Sequence, residues 1–387
     1  MYAIGVALRA RVQFFSHLNI PSAVLGGLIF ALAVLVLHDR VLNVTLDLTA
    51  QPLFMITFFT TIGMGASLPL LKKGGPQVLT FLAIAAAFCF LQNFLGMGIG
   101  QAFGAHPLLG VMAGSVTLVG GPATGLAFAP LFEQAGLQGA AAVAIASATF
   151  GITLGGLVAG PVGTWIIERY GLRGTGKHHG ETRPPEEEAN APDLLTPESG
   201  REVSLMIVNL VVLGMVMGVG SVVSLGIESL GITLPAYIGA MIVAAVMRNV
   251  NDRTNWFGFD EKAMDFIGDV SLNIFLVIAL MSLRLWELAA IALPLLAILI
   301  GQVVLTALVS ALLVYRIMGR DYDAAVMSTG FVGFVLGTTA NALVNMRGLV
   351  QHYGPAPRAF LVVPLVGALF IDFVNALIIT LFLTWLT

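Results

Sequence analysis

Charge is what this sequence has least of. Only 10% of its 387 residues are charged, 18 Lys and Arg against 21 Asp and Glu, where a soluble protein carries about a quarter. So sparse a charged surface cannot solvate a chain of this length. That excludes a soluble enzyme, a nucleic-acid binder and a disordered scaffold. Cysteine is nearly missing as well. Cys89 stands alone inside an apolar run, so neither a disulfide nor a Cys-based metal site can form within one chain. The motifs of catalysis are absent: there is no HExxH, no Walker A lysine motif and no GxSxG elbow, and GGPATG at 120–125 lacks the lysine of a phosphate loop. The reading is a protein that is not an enzyme and holds no cofactor. A cleavable signal peptide is not expected either, because Arg9 and Arg11 directly follow the apolar start and no basic stretch precedes it.

What is there is apolar. Hydrophobic residues make up 58% of the chain and mean hydropathy is +0.94. Runs of about 18 or more apolar residues recur throughout, the mark of an all-α polytopic membrane protein. Spans are expected near 20–37, 52–71, 77–100 and 139–167, then near 203–225, 232–247, 266–283, 288–315 and 359–386. Residues 1–15 are too short to cross a bilayer, so the first span is expected to be truncated. Between the two sets lies 168–202, which holds 13 charged residues and much Pro and Gly. It reads as a polar linker in solvent, His178 and His179 included. It divides the chain into an N-terminal repeat, 1–167, and a C-terminal repeat, 203–387.

Two further apolar segments, 107–130 and 324–345, are interrupted by Gly, Pro and Thr. Irregular backbone at membrane depth has to be buried in protein or line a wet cavity. Each segment is therefore expected to be a re-entrant hairpin with a glycine-rich tip. The halves match at offsets of 214 to 215 positions, in the same order: Pro21 with Pro235, Ser67-Leu68 with Ser282-Leu283, and Val111-Met112 with Val326-Met327. The pattern points to an internal repeat, a common plan of secondary transporters. With five spans per half, the second repeat is inverted. Placing the linker in the cytoplasm puts 16 of the 18 basic residues inside and leaves Arg40 and Arg284 outside, as the positive-inside bias requires. Both termini then face outward, and the hairpins enter from opposite sides so that their tips can meet near the midplane.

The tips offer polar groups without charge. Ser115, Thr117, Gly120, Gly121, Pro122 and Thr124 are candidates in the first, and Gly333, Gly337, Thr338, Thr339 and Asn341 in the second. Half-helix N-termini suit a carboxylate, and Thr, Asn and carbonyl oxygens suit Na⁺. Small residues would also permit simple close packing. Asp372 is the only charge in 359–387. A carboxylate there costs about 2.5–3.5 kcal/mol on insertion scales, so it is expected to face a cavity or a cation, or else to cap a broken helix. Asn375 shares its helical face. Together they could hold Na⁺ or a substrate ammonium. Gln92, Asn93 and Gln302 sit mid-span, where site lining and bonding between helices are equally open. Asn345, one turn from Asn341, extends the second tip's polar face. Thr149 and Thr153 read as bonded to their own backbone.

At these residues the chain resembles bacterial sodium/glutamate symporters. The resemblance is carried by GVMAGSVTLVGGPATG (110–125), ATFGITLGGLVAGPV (148–162), MGRDYDAAVMSTGFVGFVLGTTANALVNM (318–346), AFLVVPLVGALFIDFVNALII (359–379) and the span sequence over 269–299. It covers about residue 18 to the C-terminus except the linker. It implies two inverted five-helix repeats, Na⁺-coupled uptake of an acidic amino acid in a bacterial inner membrane, a homodimer, and an elevator-like cycle. Na⁺ would be the coupling ion, not a cofactor. Pro122-Ala123 stands where such symporters tend to have His-Gly, Gly337-Thr338-Thr339-Ala340-Asn341-Ala342 where they tend to have Gly-Ala-Thr-Pro-Thr-Ala, and Phe331-Val332 where a His-Cys pair is expected. An Na⁺- or H⁺-coupled carrier of a di- or tricarboxylate therefore stays open, as does, from another class, an ion channel.

Overall fold

The computed structural model describes residues 1–11, 21–37, 46–69, 75–172, 200–229, 236–284 and 291–387. The linker core 173–199 with His178 and His179, the basic Arg40, Lys72 and Lys73, and Pro235 lie outside the described residues. Everything regular that is described is helical. In chain order the helices are α1 (Tyr2–Arg11), α2 (Ser22–Leu37), α3 (Gln51–Gly65), α4 (Gly75–Ala102), α5 (Pro107–Val111), α6 (Gly121–Gln134), α7 (Ala140–Tyr170) and α8 (Gly200–Glu228). They continue with α9 (Ala236–Thr254), α10 (Glu261–Met281), α11 (Ala292–Val309), α12 (Tyr322–Val335), α13 (Thr339–Tyr353), α14 (Pro357–Leu365) and α15 (Ile371–Leu386). Among the described residues, five stretches are long and apolar enough to cross a membrane: Gly75–Ala102, Ala140–Tyr170, Leu205–Ile227, Glu261–Met281 and Ala292–Ile317. The protein is membrane-embedded.

The helices sort into two bundles by whom they pack against. In the flanking bundle α3 packs on α8, α9 and α10, and α10 also packs on α2, which holds α1. In the central bundle α4 packs on α5, α11 and α15, while α7 packs on α6, α11, α12 and α13. Each bundle draws on both halves of the chain. Across the seam α6 meets α10, and residues 366–370 meet α3. One apolar core runs through both bundles, with a small second cluster around Met64, Leu213 and Ala244 in the flanking one.

Helix ends are fixed by polar side chains. Asp260 caps α10, accepting from the backbone N–H of Lys262 and Ala263 at 3.0 and 3.4 Å. Asp321 caps α12 through Ala324 N–H at 2.9 Å. Arg358 at the start of α14 pairs with both Asp321 and Asp323, which ties the entry of α12 to that of α14. The hydrogen bond that Arg358 donates to Asp321 pushes its guanidinium further up from its ordinary range. After α3, Asn249 holds the turn by donating to Ala66 O and accepting from Leu68 N–H, each at 2.8 Å.

Two expectations are modified. The stretch 359–386, expected as one span, is interrupted at Val366–Phe370 by a widened π-type turn. Pro364, which has no N–H to donate, and Gly367 both fall at this point. The first broken segment is interrupted earlier than its glycine pair: Gly114 leaves helical geometry at φ −102°, ψ −130°, and a second break follows at Gly120 before α6 begins at Gly121 with φ +69°. The α4–α5 crossing depends on Gly96 and Gly110, each of which lies against the other's backbone where a Cβ would overlap it. Gly110→Ala is expected to cost about 3 kcal/mol by overpacking and to remove the single sharp size-exclusion peak in detergent. Gly98→Ala, where a Cβ meets nothing within 4 Å, should keep that peak.

Candidate functional site

Both interrupted segments come together on one turn of α4. Asn93 Oδ1 accepts from the Ser115 N–H at 2.9 Å, beside the Gly114 break. Asn375 on α15 donates its amide to the Ser115 carbonyl at 2.8 Å. Gln92, next to Asn93 on α4, donates to the carbonyl of Val335, the last residue of α12 before the second break, at 3.1 Å. Gln302 on α11 donates to the Gln92 carbonyl at 2.7 Å. The backbone groups that each break frees are thus bonded by side-chain amides from intact helices, which is how irregular backbone survives in an apolar medium. On the other side α7 presents Gly151, and a Cβ there would overlap the Leu336 carbonyl and approach Leu118. Only glycine lets both breaks approach α7 at that point.

The amide orientations follow from this chemistry. A carbonyl can only accept, so each of Gln92, Gln302 and Asn375 turns its NH₂ toward one and aims its oxygen elsewhere. Gln92 Oε1, Gln302 Oε1, Asn375 Oδ1 and Ser115 Oγ are buried with no hydrogen-bond partner among the described residues. Leaving each unmet costs about 1–3 kcal/mol. Neutral oxygens without donors have the chemistry that a hard cation prefers. Asn93 is the reverse case: its oxygen is used, and its NH₂ is the unmet group, a donor suited to an anion.

The remaining candidates divide. Thr117 donates to the Met112 carbonyl at 2.7 Å, and the Thr338 hydroxyl caps α13 by accepting from Asn341 N–H at 3.3 Å, so both steady the breaks. Thr124 is buried with its side chain against Gly120. Thr339 lies against Gly367, which brings the second tip to the break ahead of Asp372. Gly337 sits against Asn341 and Ile152, and Asn341 donates to the Ile152 carbonyl at 2.8 Å. Asn345 stands apart. It donates to the Asn341 carbonyl at 2.9 Å but lines a cavity of about 300 Å³ with Thr164, His352 and Tyr353. Asp372 lies in the first turn of α15, half-buried, and no hydrogen bond or ion pair to its carboxylate is seen among the described residues. Thr153 donates to its own helix at Thr149 O, as expected.

Sequence reasoning missed three groups. Ser147 on α7 and Tyr237 on α9 are fully buried with unpartnered hydroxyls among the described residues. The Ile152 carbonyl is the anchor of Asn341. A serine in an alanine run and a tyrosine at a helix start give no local signal of this, because what distinguishes them is their surroundings in space.

The profile of the family described as "Sodium/glutamate symporter" matches residues 1–355. The sodium/glutamate symporter of Escherichia coli (strain K12) is 38% identical over 387 aligned residues, covering 98% of this chain and 94% of that protein. The sodium/glutamate symporter of Haemophilus influenzae is 39% identical over 377 residues, covering 96% and 92%. These are names of transporters. This chain belongs to the sodium/glutamate symporter family.

Proposed function

We propose that this protein couples Na⁺ entry to the uptake of glutamate or a closely related acidic amino acid across a bacterial inner membrane. The observation that carries the reading is the convergence of both breaks on Gln92 and Asn93, with three amide oxygens and one hydroxyl left unpartnered around them. Na⁺ binds among Gln92, Gln302, Asn375 and Ser115, near Asp372. The solute is held by Asn93 and the tip residues Gly120, Gly121, Thr124, Gly337 and Thr339, with Asp372 accepting from its ammonium. Na⁺ offsets the solute's negative charge, so each ligand binds poorly without the other.

The broken segments are re-entrant hairpins of two inverted repeats, with termini outward and the linker inside. Domain boundaries at 1–167 and 203–387 follow from that plan. The central bundle carries the site and moves against the flanking bundle, which forms the homodimer in the lipid. The sparse pairing of helices across the seam supports such a motion. The test is purified protein in proteoliposomes with Na⁺ and H⁺ gradients imposed separately. Saturable glutamate uptake driven by Na⁺ alone is expected. Uptake driven by H⁺ alone, or preferential competition by di- or tricarboxylates, would move the assignment to another anion carrier. Flux that does not saturate would indicate a channel.

A further inference from the structure

Tyr237 is the one buried hydroxyl of the flanking bundle without a hydrogen-bond partner among the described residues. Nearby hydroxyls in that bundle are spent on their own helices: Thr57 donates to Leu53 O, Thr60 to Ile56 O and Thr61 to Phe58 O. Tyr237 is also held hard in place. Its ring stacks on Phe59 of α3 with centroids 3.8 Å apart and planes 18° from parallel. The edge-on ring of Phe128, 5.9 Å away, belongs to α6 of the central bundle. Tyr237 therefore stands at the seam, fixed from the flanking side and touching the central one.

The seam at this point leads to the site. Helix α3, which carries Phe59, packs on residues 366–370, and Asp372 follows directly. Tyr237 lies within electrostatic reach of the Asp372 carboxylate, yet the two make no hydrogen bond. A rigid, buried phenol is a poor choice for packing alone, because phenylalanine would stack equally well without an unmet donor. A buried donor and an acceptor on the two sides of the seam match the two ends of an α-amino-acid head group: the phenol O–H donates to its carboxylate while Asp372 accepts from its ammonium.

We infer that Tyr237 is a solute-contacting residue supplied by the flanking bundle, whose hydroxyl donates to the carboxylate of an amino acid held at Asp372 when the central bundle brings the site to the seam. The inference rests on the transport reading above and adds to it a specificity element from outside the broken helices.

Tyr237→Phe tests it, since only one oxygen is removed. In proteoliposomes under an Na⁺ gradient, the variant should show a glutamate KM about tenfold above wild type, with maximal rate within about twofold. The Na⁺ half-saturation at saturating glutamate should stay within about twofold of wild type. Thermal unfolding in detergent gives the second readout. Without solute the variant should melt at or above wild type, because an unmet buried donor is gone, and glutamate with Na⁺ should stabilise it less. A wild-type KM overturns the inference. So does a lower melting point without solute, which would make the hydroxyl a structural bond. Wild-type protein that fails to take up glutamate on Na⁺ would remove the transport reading and this inference with it; an active wild type beside an unchanged variant removes the inference alone.

Discussion

Asp372→Asn is expected to lower Na⁺-dependent uptake below roughly one hundredth of wild type, a loss of about 2.7 kcal/mol, while the protein still reaches the membrane and purifies as a single species. The argument begins with cost. Residues 357–386, α14 through α15, contain no charge beyond Arg358 and Asp372, and a carboxylate in such surroundings is retained only where it meets a cavity, a cation or a partner. No partner for it appears among the described residues. Its neighbour on the same face, Asn375, is the residue that clamps the Ser115 carbonyl and keeps its own oxygen unmet. The carboxylate thus supplies the one formal negative charge beside a group of neutral oxygens. Asparagine keeps the volume and loses the charge. Because the charge is not paired in the fold, its removal should not destabilise the protein, and an unfolding temperature equal to or above wild type is expected. Substantial Na⁺-driven uptake by the variant would take Asp372 out of the mechanism.

The long spans were legible because runs such as 75–102 and 140–170 are apolar enough to specify helix without help from neighbours. The two interruptions were legible for the opposite reason: Gly120-Gly121-Pro122 and Gly337-Thr338-Thr339 cannot continue a helix at low cost. The position of the first break was not. Ala-Gly-Ser-Val at 113–116 has nothing that marks Gly114 over any other glycine in the chain. Asn93 fixes it from a different helix by taking the Ser115 N–H. Asn93 and Gln302 could be singled out as costly in lipid, but whether such an amide lines a site or bonds a helix was undecidable from sequence. In the fold, one end of each amide bonds backbone and the other is unmet. The hydroxyls of Thr117 and Thr338, candidates by the same criterion, each make one bond to backbone. Composition identifies which residues are polar in an apolar run; it does not say which of their atoms are already bonded.

Gln302→Leu makes that distinction measurable, and it is expected to raise the Na⁺ half-saturation by about tenfold or more, about 1.4 kcal/mol, with the glutamate KM at saturating Na⁺ changed by less than about threefold. Gln302 is fully buried. Its NH₂ is bonded to the Gln92 carbonyl at 2.7 Å and its oxygen is unmet. If the side chain is only a strut, removing it frees one carbonyl that already belongs to the continuous helix α4, and the effect should fall on stability. If its oxygen is an ion ligand, the effect should fall on Na⁺ affinity. Leucine is close in volume, so α11 and α4 can stay packed through Ile298 and Leu299 on the same buried face. Gln302→Glu separates the atoms further: it retains an acceptor and loses the donor to Gln92. On the ligand reading, glutamate at 302 should hold Na⁺ better than leucine does, although the strut is broken in both. Equal Na⁺ affinity in the leucine variant and wild type would assign Gln302 to the scaffold of the break and leave the cation to Gln92, Asn375 and Ser115.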